Sequence, residues 1–277
     1  MSQVTTPNIP LSHYGVLERK QAGSAQDLVI EQVLTLGYSV LEASYSAHEM
    51  DHISATFDLA YNQYVGTHGK SVLEKLDESN TMRAMLTWSD PVFAQLALNP
   101  LLLSTIERLI KGKFILNQQN GIINPPGARY NQGAWHRDFP YQHFVSSRPI
   151  AINALFCVDD FTADNGATFV LPASHKSEPF ASQAYIEKNS VQITAKAGTF
   201  ILLDCMLYHT GGFNQSQQAR RAINHVFNIP YFKQQINIPL NLDPTGLSAE
   251  AKELFGFEYQ EPPSVAAFFE KRKGRSA

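Results

Sequence analysis

The feature that most constrains how this chain folds is a change of pattern near Phe114. Before it, apolar residues recur at helical spacing. Met50, Ile53, Phe57 and Tyr61 fall on one face of a segment opened by Ser46, and comparable segments run over 25–36, 71–76, 90–98 and 100–110. Gly37 stops the first of these as a C-cap, and a short strand is expected at 38–41. From Phe114 onward the apolar runs are short or alternating and are bounded by Gly, Pro, Asn and Asp. Strands are expected at 114–120, 133–137, 150–158, 167–171, 191–194, 199–203 and 220–229. Helices followed by many short strands imply a helical layer packed on a two-sheet β structure, a jelly roll.

The 277 residues suit one large domain, and 44% apolar content is ample for its core. Positions 1–24 hold prolines and small polar residues and are expected to be flexible. The domain is expected over 25–270 with its β core at about 114–232, followed by a solvated basic tail at 271–277. No apolar run approaches the ~20 residues that span a bilayer. The first ten residues lack a signal-peptide core, so a soluble, cytoplasmic protein without membrane contact is expected. A net charge of -3 offers no footprint for nucleic acid. Cys157 and Cys205 both sit in apolar segments and are expected to be buried free thiols. Nothing in the sequence indicates the oligomeric state.

The chemistry centres on His136-Arg137-Asp138. In a strand, side chains at i and i+2 share a face, so an imidazole and a carboxylate would meet at one point. With His209 added, the set is two histidines and one carboxylate. That is the facial triad of non-haem Fe(II) oxygenases, which leaves three coordination positions open. An H-x-D alone is common, and its force comes from its surroundings.

Those surroundings resemble the phytanoyl-CoA dioxygenase family of iron and 2-oxoglutarate dependent oxygenases over most of the chain. Four segments carry the likeness in order: Leu36-Gly37-Tyr38-Ser39-Val40-Leu41 before a helix, then His136-Arg137-Asp138, then Asp164-Asn165-Gly166 running on to Pro172-Ala173-Ser174-His175-Lys176. The last runs from Ala197-Gly198-Thr199-Phe200 through Asp204 to His209 and Arg220-Arg221-Ala222-Ile223. Ala173 stands where many members have glycine. The resemblance implies a cupin-like double-stranded β-helix with amino-terminal helices packed on one sheet. It also implies Fe(II), 2-oxoglutarate and O2 as cofactors, with ascorbate supporting activity. Succinate and CO2 would be released as an unactivated C–H bond is hydroxylated or otherwise oxidised. Asp138 is present where the related halogenases carry a small residue, which points to oxygen insertion or desaturation.

The family places a cosubstrate arginine on the strand after the distal histidine, eleven residues on in several members, and Arg220 has that spacing from His209. A guanidinium suits the far carboxylate of 2-oxoglutarate because it donates two parallel hydrogen bonds and keeps its charge. Arg221 competes, but alternation groups it with Ile223, His225 and Phe227 on an apolar face, and groups Arg220 with Ala222 and Asn224. Gln119 and Asn153 are candidate further cosubstrate contacts. Trp135, Arg137 and Phe139, with Tyr141, His143 and Phe144 nearby, are candidates for a substrate pocket. A coenzyme A ester would favour a basic surface that this chain lacks, so a small organic metabolite is the expected substrate.

Two rival readings exist. His48-Glu49-Met50-Asp51-His52 matches the H-E-x-x-H of zinc hydrolases, with Glu74 as a conceivable third ligand. Yet at ~100° per residue both histidines fall opposite the buried stripe of their helix, and Ser46 with Glu49 reads as a capping box. The other rival is a non-catalytic jelly-roll binding module, against which the intact triad argues. His13, His68, His143, His175 and His225 are read as structural.

Overall fold

The computed structural model describes residues 9–273 apart from positions 11 and 89. Helix α1 (Ala25–Leu36) starts where the Ser24 side chain accepts from the Asp27 N–H and ends at left-handed Gly37, whose N–H closes on the Val33 carbonyl. The chain passes at once into β1 (Tyr38–Glu42). Helix α2 (Ala47–His68) opens with the expected capping box, Ser46 and Glu49 each satisfying the other's backbone N–H. Then follow α3 (Lys70–Lys75), β2 (Thr81–Met82), α4 (Val92–Ala97) and α5 (Pro100–Ile110), the last capped by Asn99. The strand-rich half runs through β3 (Ile115–Asn124), β4 (Ala151–Cys157), β5 (Phe169–Val170), α6 (Gln183–Asn189), β6 (Val191–Gln192), β7 (Thr199–Asp204), β8 (His209–Thr210) and β9 (Arg220–Asn228). Three further helices, α7 (Ile238–Asn241), α8 (Ala249–Leu254) and α9 (Val265–Lys273), complete it.

The strands form two antiparallel sheets, one in the order β1-β7-β4-β9-β3-β2 and one in the order β6-β5-β8. Two-residue periodicity then sorts the side chains. Phe200 and Leu202, with Ile152, Ala154, Phe156, Ile223 and Phe227, pack against helix residues such as Ile53, Phe57, Phe93 and Ile106. Ile201, Leu203, Cys157 and Ala222 point the other way and meet Phe161, Ala167 and Val170 between the sheets. Strands covered on both faces have to be apolar on both, which is why β7 reads as an unbroken apolar run. Phe57, Phe93, Phe156, Phe200 and Phe227 are fully buried, and truncating such a side chain to alanine costs about 3–5 kcal/mol. Arg221 lies on the helix side, where it joins β9 to α2 through Asp58 at 2.9 Å and the Ser54 hydroxyl at 2.8 Å, and pairs with Asp159, just after β4, at 2.7 Å.

Four expectations need correction. Residues 133–137 are not a strand: Asn131–Gly133 form a 3-10 turn, and His136 makes a single bridge to His209. The ladder stops because the opposite chain turns sharply at 204–207, with the Leu207 N–H on the Asp204 carbonyl and the Met206 N–H on the Asp204 carboxylate. The Asp138 N–H therefore reaches the Cys205 carbonyl at 3.0 Å instead of continuing in register. The β core also begins earlier than 114, since β1 and β2 form the two ends of the larger sheet. Residues 238–241, 249–254 and 265–273 are helical where no element was expected. Lys271 to Lys273 close helix α9, where cations oppose the dipole's negative end, and are no loose tail; positions 274–277 lie outside the described residues. Residues 12–23 carry no helix or strand, and the flexibility expected for 1–8 falls outside the description. Cys157 and Cys205 are free and buried, as expected. Among the described residues no helix is long and apolar enough to cross a membrane.

Candidate active site

The space between the sheets ends in a cavity reached by His136, Asp138, Asn153, His209 and Arg220. His136 and His209 exchange both backbone hydrogen bonds at 3.0 Å, which sets their rings 4.3 Å apart, centre to centre. The Nδ1 of His136 lies 2.7 Å from the Ala134 carbonyl and that of His209 lies 3.0 Å from the Leu207 carbonyl. A carbonyl can only accept, so each Nδ1 carries the proton and each Nε2 keeps a free lone pair. Asp138 Oδ1 lies 3.7 Å from His209 Nε2, and one ligand atom from each of the three residues falls within 4.8 Å of the others. Burial lowers the pKa of His209 and favours the neutral ring that a metal needs. The donor set, two neutral imidazoles and a carboxylate on one side, matches the facial arrangement of non-haem iron centres.

The second half of the site is Arg220, 2% exposed. Its guanidinium carbon sits 3.9 Å from the Phe161 ring centre, and Nη2 donates to the Gly166 carbonyl at 3.2 Å. The Tyr130 hydroxyl is its other polar neighbour, and Nε has no partner. Whereas Arg221 takes two carboxylates, no described carboxylate pairs with Arg220. A desolvated cation without an anion is costly to hold, so the geometry suits a carboxylate arriving from outside. Two glycines make this possible. Gly166 adopts φ +75°, and a Cβ there would stand 2.4 Å from both the Asn124 amide and the Gly212 carbonyl. At Gly211 a Cβ would stand 1.9 Å from the Tyr130 hydroxyl.

The remaining candidates divide. Asn153 lies in the cavity, where its Nδ2 donates to Asp138 Oδ2 at 3.1 Å. Gln119 is buried on the wrong side of β3 for any contact with the cavity. Its amide nitrogen donates to the Phe93 carbonyl at 2.6 Å and lies 2.8 Å from His225 Nε2, within the helix-facing core. A bulge between Leu116 and Gln118 fixes that register, and it is Gln118 that reaches Asn224. Trp135, Arg137 and Phe139 frame the cavity without lining it. Trp135 packs on Phe180, and Phe139 packs between Phe144 and Phe232. Arg137 is buried over the Tyr208 ring and donates to the carbonyls of Gln142, Ser174, Ser177 and Glu178. Asn224 lines the cavity as well, and so do Tyr130, Gln132 and Thr168, which the sequence did not mark. Alternation on β9 already put Asn224 on the inward face, but Tyr130 and Gln132 belong to an irregular segment with no periodic signal. His48 and His52 are exposed on α2, His52 lying 3.8 Å from Asp90, and Glu49 is engaged in the cap. Among the described residues His136, Asp138 and His209 are the one cluster arranged for a metal ion.

Comparison with known proteins agrees with this geometry. An uncharacterized protein of Mycobacterium tuberculosis is 32% identical over 90% of this chain and 95% of its own length. The ectoine dioxygenase of Sphingopyxis alaskensis is 24% identical over 69% of this chain and 72% of its own. The crystal structure of EctD from S. alaskensis with 2-oxoglutarate and 5-hydroxyectoine shares the fold, with a TM-score of 0.62 at 22% identity over 74% of this chain and 76% of that one. The α-ketoglutarate dependent epimerase SnoN from nogalamycin biosynthesis has a TM-score of 0.58 at 16% identity, over 81% of this chain and 89% of its own. The family model for phytanoyl-CoA dioxygenase matches residues 35–222, which contain all three candidate ligands and Arg220, and the chain belongs to that family.

Proposed function

We propose that this protein is an Fe(II) and 2-oxoglutarate dependent dioxygenase that oxidises a C–H bond of a small organic molecule. The observation that carries the reading is the convergence on one cavity of two lone-pair Nε2 atoms, a carboxylate oxygen and a buried, anion-free guanidinium. His136, Asp138 and His209 would hold Fe(II), and Arg220 with the Tyr130 hydroxyl would hold the far carboxylate of 2-oxoglutarate. When bound, the metal with 2-oxoglutarate and O2 supplies the oxidising equivalents, with succinate and CO2 as coproducts. The chain's own contribution is orientation. The backbone carbonyls of Ala134 and Leu207 fix the tautomers of the two histidines, and Leu155, Leu203 and Ile122 keep that end of the cavity dry. The phenol of Tyr130 is pushed above its ordinary pKa by burial, so it remains a neutral hydrogen-bond donor beside Arg220.

The test is anaerobic reconstitution with Fe(II), followed by a metabolite screen in air scored by succinate release and loss of 2-oxoglutarate. Turnover that vanishes in Asp138→Ala and is blocked by chelation supports the reading. Full turnover in His209→Ala, or stoichiometric zinc with hydrolysis and no succinate, refutes it.

A further inference from the structure

The carboxylate of Asp138 has two oxygens, and the fold treats them differently. Oδ1 faces His209 Nε2 at 3.7 Å, while Oδ2 accepts from Asn153 Nδ2 at 3.1 Å. Asn153 is 3% exposed and stands mid-strand in β4, paired with Leu203 on one side and Val226 on the other, so its backbone cannot drift. The amide orientation follows from chemistry, because the opposite flip would set its oxygen against a carboxylate oxygen. Asn153 Oδ1 is accordingly left buried with no partner. That cost is tolerated at a site where the other end of the amide is in use. Asp138 is held from the backbone as well, through its N–H on the Cys205 carbonyl at 3.0 Å. The carboxylate is thus fixed both in place and in rotation.

We infer that Asn153 is a positioning residue that keeps Asp138 a one-oxygen ligand, by occupying Oδ2 so that only Oδ1 is free to face the metal. The inference rests on the Fe(II) and 2-oxoglutarate reading of the site. Its importance lies in the coordination count. Three protein donors leave three positions of an octahedron, which a chelating keto acid and O2 together fill. A carboxylate free to turn and bind through both oxygens would take one of those three. Asn153 therefore acts on cosubstrate binding through Asp138, and this predicts a separation between metal affinity and cosubstrate affinity.

The experiment is an anaerobic titration of 2-oxoglutarate into the Fe(II)-loaded protein, followed by the visible charge-transfer band of a keto-acid chelate, beside a separate Fe(II) affinity measurement by competition with a fluorescent chelator. Asn153→Leu matches the side chain in size and removes the donor. It is expected to hold Fe(II) about as tightly as wild type and to need about 10- to 100-fold more 2-oxoglutarate for half-saturation, the effect of losing one hydrogen bond to a charged group. Asn153→Ala is measured in parallel and read in the same way, so a folding defect in the leucine variant does not shelter the idea. An unchanged 2-oxoglutarate midpoint in a folded variant overturns the inference. So does an equal loss of Fe(II) and 2-oxoglutarate affinity, which would make Asn153 a mere support for the ligand. A wild-type protein that forms no such band refutes the iron and 2-oxoglutarate reading itself.

Discussion

Replacing Arg220 by methionine separates what this residue does for the ligand from what it does for the fold. The guanidinium is buried, stacked on Phe161 and bonded to Gly166, and no described carboxylate neutralises it. In the ligand-free protein Met removes a desolvated charge, a change that ranges from neutral to about 4 kcal/mol stabilising. It also gives up hydrogen bonds to Gly166 and Tyr130 worth about 1.5–3 kcal/mol each. The two effects oppose each other, so the unliganded melting temperature of each variant is the reference from which its ligand-induced shift is measured. Binding behaves otherwise. Truncating one partner of a buried charge pair costs on the order of 2–5 kcal/mol, or roughly 30-fold to several thousand-fold in affinity for 2-oxoglutarate. Wild-type protein at about 100 times its Kd gains about 2.7 kcal/mol from the ligand, which is roughly 5–10 °C in Tm for a chain of this size. At the same ligand concentration Arg220→Met should keep less than about 1 kcal/mol of that gain, a shift of at most about 3 °C. Thermal melts of anaerobic Fe(II) protein with and without 2-oxoglutarate decide the matter. Arg221→Met is the control: it breaks the Asp58 and Asp159 pairs, should lower stability by about 1–3 kcal/mol, and should keep the ligand-induced shift. The opposite pattern would mean that the two faces of β9 have been exchanged, and the assignment of every inward residue on that strand would fall with it.

Three further outcomes are expected. Burial pushes Asp204 up to about 6 and holds His175 and His225 down at about 4. Between pH 6.5 and 4 the unfolded chain takes up protons that the two folded histidines refuse, which lowers stability, while Asp204 binds a proton in the folded state and partly offsets the loss. Asp204→Asn should therefore steepen the fall in denaturant-measured stability near pH 5 by about 1.4 kcal/mol per pH unit; an unchanged slope would refute the buried-acid assignment. His48→Ala combined with His52→Ala should leave metal content and turnover as in wild type, and loss of a stoichiometric metal ion would revive the zinc reading. Ala173 holds a left-handed φ of +63°. Ala173→Gly should relieve that strain and stabilise by up to about 1 kcal/mol, measured by urea denaturation; destabilisation would show that the Ala173 methyl contributes more than its backbone conformation costs.

What was legible in the sequence is the part written in periodicity. Met50, Ile53, Phe57 and Tyr61 marked the inner face of α2, and alternation on β9 placed Arg220 inward and Arg221 against the helices, as the structure has them. Gln119 was misplaced because a bulge in β3 shifts the strand by one residue, and bulges leave no mark in a hydrophobic pattern. The spacing around His136 suits a strand, but the structure has only an isolated bridge there. The two rungs that hold it depend on a turn at 204–207, nearly seventy residues away in sequence, which no local rule supplies. Tyr130 and Gln132 were missed for the same reason: tertiary context alone brings an irregular loop over the cavity. The helices after 232 are short and weakly patterned, and their local signals are few: capping residues at Asn237, Ser248 and Ser264 and the first-turn proline of α7.

Arg137 has a consequence for how this scaffold tolerates change. It lies between two candidate ligands, yet its side chain points away from them and gathers carbonyls from 142 and from the 174–178 turn at one buried point. Backbone carbonyls are present whatever the side chains are, so the hub imposes almost no sequence on the loops it fastens. Within 143–147 and 179–182, the positions other than Phe144 and Phe180, which pack on Phe139 and Trp135, and Ser182, which caps α6, are then free to vary while the ligand geometry stays fixed. A scaffold built in this way can accept changes in those loops without disturbing the centre they surround.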